Sequence, residues 1–487
     1  MPIRRRPFAL SLDPNEALPL PIRVATALVE AIRAGRIAPG EALPGTRSLA
    51  ETLSVSRSTV VAAIQELEAE GWVRSKLARG TYVSDPLPER IPANWGAQAA
   101  PSAQSPTAFE WPALPSPLTD VTGGILNLRQ GLPDPRLAPS EALAKAYQRA
   151  IRRHGHELLA AGEPKGNGTL RDTLAPFLAQ RRGLRVDREQ LLVTQGSQEA
   201  LELLCDCLLE PGSVVAVEDP GRPTLWATLK RRPDIQVAPI PVDADGMDVD
   251  ALEKRLEKGA IRMVVCSPLY QLPTMSVLSP ARRAKLLALA RSHAFVILEI
   301  DSDFDYCLEG QPLSPLAAAD ACAQTLHLGS LSHLIAPGMH LSFLAGPRAL
   351  VDRLAKQRSQ AERQGDRVLE WSVAELIRDE DLMRHLRRAS MIYRERRDET
   401  AKRLMASFGS RLEVPLPAGG LAFWLRLMPG ESAELWAQAC RAQSLLLHPG
   451  RHYSYSSSDL PFLRMGFGEL DALRLEEAMR RMKAAMV

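Results

Sequence analysis

Residues 329–347 read GSLSHLIAPGMHLSFLAGP, and the organisation of the remaining chain can be worked out from them. They follow Thr325–Leu328, an apolar run with the length and composition of a short buried strand. Ser330 and Ser332 flank Leu331, and a Pro337–Gly338 turn comes next. Two hydroxyls at period two, leaving a strand end, are suited to hold a phosphate. Thr194-Gln195-Gly196-Ser197-Gln198 offers a second anion-binding feature, because it follows a strand and opens a helix. Taken alone, such a turn is more commonly a structural cap.

Around these two turns the chain alternates strand-like and helical patterns. The expected strands are Leu191–Val193, Val214–Val217, Ile235–Ala238, Ile261–Cys266, Phe295–Ile300, Thr325–Leu328 and Ser342–Ala345. Helices between them include Gln198–Leu209 and Arg282–His293. This alternation predicts an α/β domain with a mostly parallel sheet. After Glu362 come charged helices, then short strands at Leu421–Leu427, Leu445–His448 and Leu463–Phe467, which predict a smaller α+β subdomain. The whole of residues 121–487 is read as this domain.

Residues 14–84 follow another pattern. Ile22, Ala25, Val29 and Ile32 recur at helical spacing, and Gly35 ends that helix. Arg47–Leu53 reads as a second, short helix. Ser56 is placed to cap a third, whose stripe of Val60, Ile64 and Leu67 runs to Gly71. Trp72–Arg74 and Thr81–Val83 then read as two strands. Three helices and a hairpin make a winged helix-turn-helix. Arg57, Ser58 and Thr59 stand at the front of the third helix, where free N–H groups favour phosphate, while Glu66, Glu68 and Glu70 stand at the other end. A protein-binding module with solvated charges is the competing interpretation. The sorting of charge along the helix argues for DNA. Between the domains, residues 85–120 are rich in Pro, Ala and Ser and read as an extended linker; Trp95 and Trp111 are candidates to dock on the following domain.

The 487 residues exceed one ordinary core. No apolar run approaches a membrane helix, and the N-terminus lacks the apolar stretch of a signal peptide, which points to a cytoplasmic protein. Six scattered cysteines read as reduced structural thiols. Residues 1–84 hold 11 Lys and Arg against 8 Asp and Glu, whereas the rest of the chain holds 49 of each. The small basic excess therefore sits on the candidate DNA-binding domain.

Two family resemblances sharpen these expectations. LPGTRSLAETLSVSRSTVVAAIQELEAEGWVRSKLARGTYV resembles the winged-helix domain of the GntR superfamily. That resemblance implies operator contacts from Arg47, Ser56, Arg57, Ser58, Thr59 and the wing residues Arg79 and Gly80. Val61 and Ala62 stand where family members often carry a charge. The larger segment resembles the fold-type I aminotransferase domain of MocR-type transcription regulators. The motifs are LRQGLPDPRLAP, GEPKGNGTLRDTLAPFLAQRRGL, VTQGSQEALELL, VEDPGRPT, SPLYQLPTM and LRMGF. The opening stretch resembles the family loop G-T-x-S-K-x-x-x-P-G-x-R-L-G, matching it at Gly329, Ser332, Pro337, Gly338 and Leu341. The resemblance implies pyridoxal phosphate as cofactor, a pocket with Gly196, Ser197, Gln198, Ser330 and Ser332 on its phosphate side, and Arg464 holding a carboxylate.

The pattern is broken where the chemistry lies. His333 takes the place of the Schiff-base lysine, and His340 that of the phosphate arginine. Laying E-D-D-Y-D-S-E-F-R-Y on Ile297–Tyr306 puts Leu298 at the pyridine aspartate and Ile300 at its tyrosine, with Glu299 on the opposite strand face. Arg222 stands where E-D-P-G-Y-P has its tyrosine. Histidine has no primary amine and forms no internal aldimine. The expectation is a homodimeric regulator of double-stranded DNA with a vestigial cofactor pocket and no catalytic residue. Its pocket would take a small anionic effector through Arg464 and Arg222, and pyridoxal phosphate only weakly and non-covalently, through Gly196, Ser197, Ser330 and Ser332. The competing expectations are a pyridoxal-phosphate-dependent enzyme or sensor, and a large domain that is pure scaffold. The first is opposed by the absence of any lysine between Lys285 and Lys356. A metal site built from His327, His333 and His340 lacks ligand spacing and is not expected.

Overall fold

The computed structural model of the protein describes residues 19–76, 80–88, 124–311, 313–320 and 323–486. The chain divides into two compact units, residues 1–116 and 117–487. Arg79, Trp95 and Trp111 lie outside the described residues.

The first unit contains α1 (Leu20–Arg33), α2 (Thr46–Leu53), α3 (Arg57–Ala69), β1 (Val73–Lys76) and β2 (Gly80–Val83). Pro21 is the second residue of α1, in the first turn, where its missing N–H costs no hydrogen bond. Gly35 and Gly71, just past α1 and α3, have φ of +67° and +80°, a backbone that glycine adopts without steric cost. Leu28, Val60, Leu67 and Val73 lie in the shared core of these elements. β1 and β2 pair antiparallel, Val73 opposite Val83. A helix-turn-helix followed by a two-stranded wing results, as the apolar spacing predicts.

The second unit opens with β3 (Leu126–Asn127), α4 (Ser140–Leu158), α5 (Gly168–Arg182), β4 (Leu191–Thr194) and α6 (Gly196–Leu208). It continues through β5 (Val214–Asp219), α7 (Pro223–Lys230), β6 (Gln236–Asp243), β7 (Gly246–Met247), α8 (Val249–Leu256), β8 (Met263–Cys266) and α9 (Pro280–His293). Then come β9 (Val296–Asp301), α10 (Leu316–Ala319), β10 (Thr325–Ser330), α11 (Leu331–Leu334), β11 (Ser342–Ala345) and α12 (Arg348–Gln360). The C-terminal part holds α13 (Arg367–Arg378), α14 (Asp381–Phe408), β12 (Leu412–Glu413), β13 (Ala422–Leu427), α15 (Ala433–Ala442), β14 (Leu445–Leu446), β15 (His448–Pro449), β16 (Phe462–Gly466) and α16 (Ala472–Ala484).

Eight strands form one sheet in the order β4-β11-β10-β9-β8-β5-β6-β7. β10-β9-β8-β5-β6 run parallel. β11 lies antiparallel between β10 and β4, and β7 is antiparallel to β6, so the sheet is mixed. Strand alternation gives each face its own core. Leu298, Ile300, Leu328 and Val265 meet α6, α7 and α12 on one side. Ile297, Val264 and Ala216 meet α8 and α9 on the other. Burial on both faces is what a parallel βαβ sheet requires. A second sheet, β12-β13-β16-β15, forms the smaller subdomain. No described helix is long and apolar enough to cross a membrane.

One local expectation is corrected. Ser330 ends β10, and the next residues form one helical turn rather than continuing the strand. The Ser330 hydroxyl accepts from the His333 N–H at 3.2 Å and starts that turn. Ser330 and Ser332 are therefore not two period-two positions of one strand.

Candidate functional site

In the first unit, the Ser56 hydroxyl accepts from the Thr59 N–H at 3.1 Å and lies 2.8 Å from the hydroxyls of both Ser58 and Thr59. This satisfies one free donor of α3 and fixes where its first turn begins. Arg57 Nε donates to Thr46 Oγ1 at 3.3 Å, which ties the front of α3 to the front of α2. Arg47, Ser56, Arg57 and Ser58 are exposed and Thr59 is half-buried. Val61 is an exposed apolar side chain on the same helix. Gly80 opens β2 with φ of +99° and is exposed. Glu68 has a structural task at the far end of α3, where it accepts from the Ser75 N–H at 2.6 Å.

In the second unit, the sequence-selected residues separate into several environments. Gly196 begins α6 with φ of +80°, and a Cβ there would lie 3.9 Å from His340 Nδ1. Gly196 and His340 are thus neighbours, although they are 144 positions apart in the numbering. His340 also lines a cavity of about 350 Å³ with Gln195, Asp366 and Glu370. Ser197 is exposed at the same helix start. Gln198 instead turns toward α7, where its amide meets the Thr228 hydroxyl. The Ser332 hydroxyl donates to the Leu341 carbonyl at 3.1 Å and accepts from the Leu341 N–H at 2.6 Å. It thereby closes the 332–341 loop.

His333 is held by Asp303, with Nδ1 2.9 Å from the carboxylate. Leu298 and Ile300 are packed in the apolar core between the sheet and α6, α7 and α12. Glu299 faces the other way, as the strand period requires. Its two oxygens accept from the Leu316 and Ala317 N–H groups at 2.9 and 3.0 Å. Among the described residues, the one group of three close metal-type donors is Glu299, Asp301 and His327. Arg182 pairs with Asp301 at 2.6 Å, and Arg283 also acts electrostatically on both carboxylates. Within this buried group, Asp301 Oδ1 and both ring nitrogens of His327 have no hydrogen-bond partner. His327 belongs there, separate from the His333–Asp303 pair.

Arg222 caps the approach to α7, after β5, and Arg464 lies on β16. Each has a buried Nε without a hydrogen-bond partner. They are close enough for their like charges to repel, while Glu218 and Asp303 act on Arg222 as opposing charges. Burial is the main force on Arg222 and lowers its pKa from the usual range. Glu218 accepts from the Ser267 N–H at 3.0 Å and the Gln271 amide at 3.2 Å. Burial nevertheless pushes its carboxyl up to about 7. His448, opposite Arg464 on the neighbouring strand, is held down to about 2, first by burial and then by His452, Arg129 and Arg464. Sequence reasoning did not select Glu218, Asp303 or Gln271 as pocket residues. Asp303 lies two residues past the strand end, and nothing local announces its partner 30 positions away.

A winged helix-turn-helix joined in one chain to an aminotransferase-like α/β domain defines a class of regulators built on an enzyme fold. Residues 124–482 match the family described as aminotransferase class I and II, and residues 22–83 match the gntR family of bacterial regulatory proteins. The chain is 27% identical over 476 residues to the HTH-type transcriptional regulator TauR of Rhodobacter capsulatus, covering 95% of this chain and 96% of that protein. It is 24% identical over 480 residues to the probable rhizopine catabolism regulatory protein MocR of Rhizobium meliloti, covering 98% and 96%. Among solved structures, the α-aminoadipate aminotransferase LysN of Thermus thermophilus, complexed with N-(5'-phosphopyridoxyl)-L-leucine, superposes with a TM-score of 0.69. The identity there is 26%, over 75% of this chain and 92% of that one. The protein belongs to the class I and II aminotransferase family, with the added gntR domain that makes it a MocR-type transcriptional regulator.

Proposed function

We propose that the protein controls transcription in the cytoplasm by binding a specific DNA duplex as a homodimer. The α3 front holds the operator, and the large domain responds to a small anionic molecule without a covalent cofactor. The observation that carries the DNA contacts is the first turn of α3. Its hydroxyls satisfy the local backbone, while Arg57 and Arg47 remain exposed beside them. A capped helix start with two exposed guanidinium groups, one of them steadied by Thr46, suits a phosphate backbone and a base edge.

The family to which the chain belongs is pyridoxal-phosphate-dependent. The residues present here do not fit covalent attachment of that group. Position 333 supplies an imidazole already engaged by Asp303, and position 298 supplies a packed leucine. Gly196 beside His340 retains a cradle of phosphate type, but the amine and the ring-facing acid are both replaced. The functional residues we assign are therefore Arg464 and Arg222 for the effector, and Arg47, Ser56, Arg57, Ser58, Thr59, Arg79 and Gly80 for DNA.

Operator selection from a random duplex pool, followed by titration with wild-type and Arg57→Ala protein, tests this. Arg57→Ala should weaken specific binding by about 1–3 kcal/mol if the side chain reads a base edge. Unchanged affinity in Arg57→Ala combined with Arg47→Ala would exclude this docking surface.

A further inference from the structure

We propose that Val61 determines operator specificity by reading the 5-methyl group of a thymine in the major groove. The inference deepens the DNA-binding role proposed above and rests on it.

The core of the first unit takes Val60, Ala63, Ile64 and Leu67 from α3. Those side chains fix which face of the helix is turned inward. Arg57, Val61 and Gln65 follow one another at intervals of four residues, so they form one ridge outside that face. All three are exposed. Val61 is 37% exposed and takes no part in the apolar core beside it. Among the described residues of this unit, the other exposed large apolar side chains are Leu20 and Ile22, both in the first turn of α1. Val61 differs from them in its place, one turn beyond Arg57 on the helix that carries the proposed operator contacts.

A single exposed valine is common on protein surfaces and by itself implies nothing. In this helix, however, its side chain has a cost. β-branched residues lose rotamer freedom in a helix, and Val61 completes a run of three with Thr59 and Val60. Val60 offsets that loss by filling the core. Thr59 offsets it in the cap, where its N–H donates to the Ser56 hydroxyl at 3.1 Å. Val61 has no such compensation among the described residues.

The chemistry of the major groove supplies one. Of the four bases, thymine alone carries a methyl group on its major-groove edge, and apolar side chains contact it. Valine offers methyl groups and neither donor nor acceptor, so it gains nothing from the hydrogen-bonding edges of the other bases. Burying one methyl-sized group favours thymine by about fourfold over a base without it. The polar side chains of the first turn lean elsewhere. The hydroxyls of Ser58 and Thr59 each lie 2.8 Å from that of Ser56, and Arg57 Nε donates to Thr46 Oγ1 on α2. Four residues of helix rise about 6 Å, close to two base-pair steps of about 3.4 Å. The thymine should therefore lie within about two base pairs of the base that Arg57 reads.

The test uses the full-length protein and its selected operator. Each thymine is replaced in turn by deoxyuridine, which removes only the 5-methyl group, and affinity is measured for wild-type and Val61→Ala protein. Alanine is the better helix former, so the variant keeps α3. One deoxyuridine position in the half-site should weaken wild-type binding about fourfold, and Val61→Ala should weaken binding to the thymine operator by a similar factor. In Val61→Ala the same deoxyuridine should change affinity by less than about twofold, because the two groups act as a pair. If no deoxyuridine weakens wild-type binding, if the weakening persists unchanged in Val61→Ala, or if the selected operator holds no fixed thymine, the proposal is overturned. Those results leave the α3 docking surface intact so long as Arg57→Ala combined with Arg47→Ala still reduces binding. If the arginine variants have no effect, the docking surface is lost and the role of Val61 with it.

Discussion

His333 meets Asp303 through Nδ1 at 2.9 Å, and this pairing governs what a lysine placed at position 333 would do. A carboxylate within hydrogen-bonding distance favours the ammonium form of an amine. Only the free amine attacks an aldehyde, so Asp303 would hold the new lysine in its unreactive state. Leu298 would still offer no charge to a pyridine nitrogen, because it is packed among apolar side chains. His333→Lys protein incubated with pyridoxal phosphate should therefore remain without a visible aldimine band, and its mass after borohydride reduction should not rise. A coloured, reducible adduct at position 333 would show that the pocket lacks only its lysine. Leu298 is placed at the position of the ring acid by matching Asp301, Ser302, Phe304 and Tyr306 to the family pattern. The two-residue strand period then assigned Glu299 to the opposite face, where it caps α10. The pairing of His333 with Asp303 was not legible, since it joins a side chain of the short helix α11 to one just past the end of β9.

At the scale of elements, caps decide where the helices begin. Ser56 was readable because a hydroxyl three residues before an N–H donor, ahead of an apolar stripe, has one favourable role. Ser56→Ala should cost about 1 kcal/mol of local stability, the usual loss for a removed N-cap. Amide exchange at Thr59 in the full chain should accelerate roughly fivefold, since 1.4 kcal/mol corresponds to a factor of ten. Protection in the middle of α3 should change less, and unchanged exchange at Thr59 would mean that the cap contributes nothing. Ser332 shows the limit of the same reasoning. Its hydroxyl is used by the Leu341 backbone, nine residues along the chain, so spacing alone did not reveal its partner. The expected strand Leu445–His448 divides into β14 and β15, which belong to different sheets, and β3 was not expected at all. β3 pairs in parallel with β14, Leu126 opposite Leu445. Two residues carry no periodicity, and the pairing joins opposite ends of the domain.

For the molecule as a whole, the proposed homodimer would have the two units supply different parts of operator affinity. Residues 19–88 contain their own apolar core, formed by α1, α2, α3 and the hairpin, and they carry the DNA contacts proposed above. One such surface meets a few phosphates and one half-site, and specific affinity then depends on coupling two of them. The proposed homodimer of the large domain would provide that coupling by converting the second half-site contact into an intramolecular event. Two measurements follow. Light scattering should give twice the 53.4 kDa chain mass for the full-length protein. Operator affinity should fall by at least a hundredfold when residues 1–88 are tested alone, within the 10²–10⁴ range typical of lost avidity. Both forms should bind more weakly as salt rises, because phosphate contacts release counterions, and the dimer should show about twice the slope of the fragment. A full-length protein that remains monomeric at the concentration of operator binding, or a fragment that equals it in affinity, would remove dimerisation from the mechanism. A fragment with weak binding but half the salt slope would locate the loss in coupling, because each half-site would still make its own phosphate contacts.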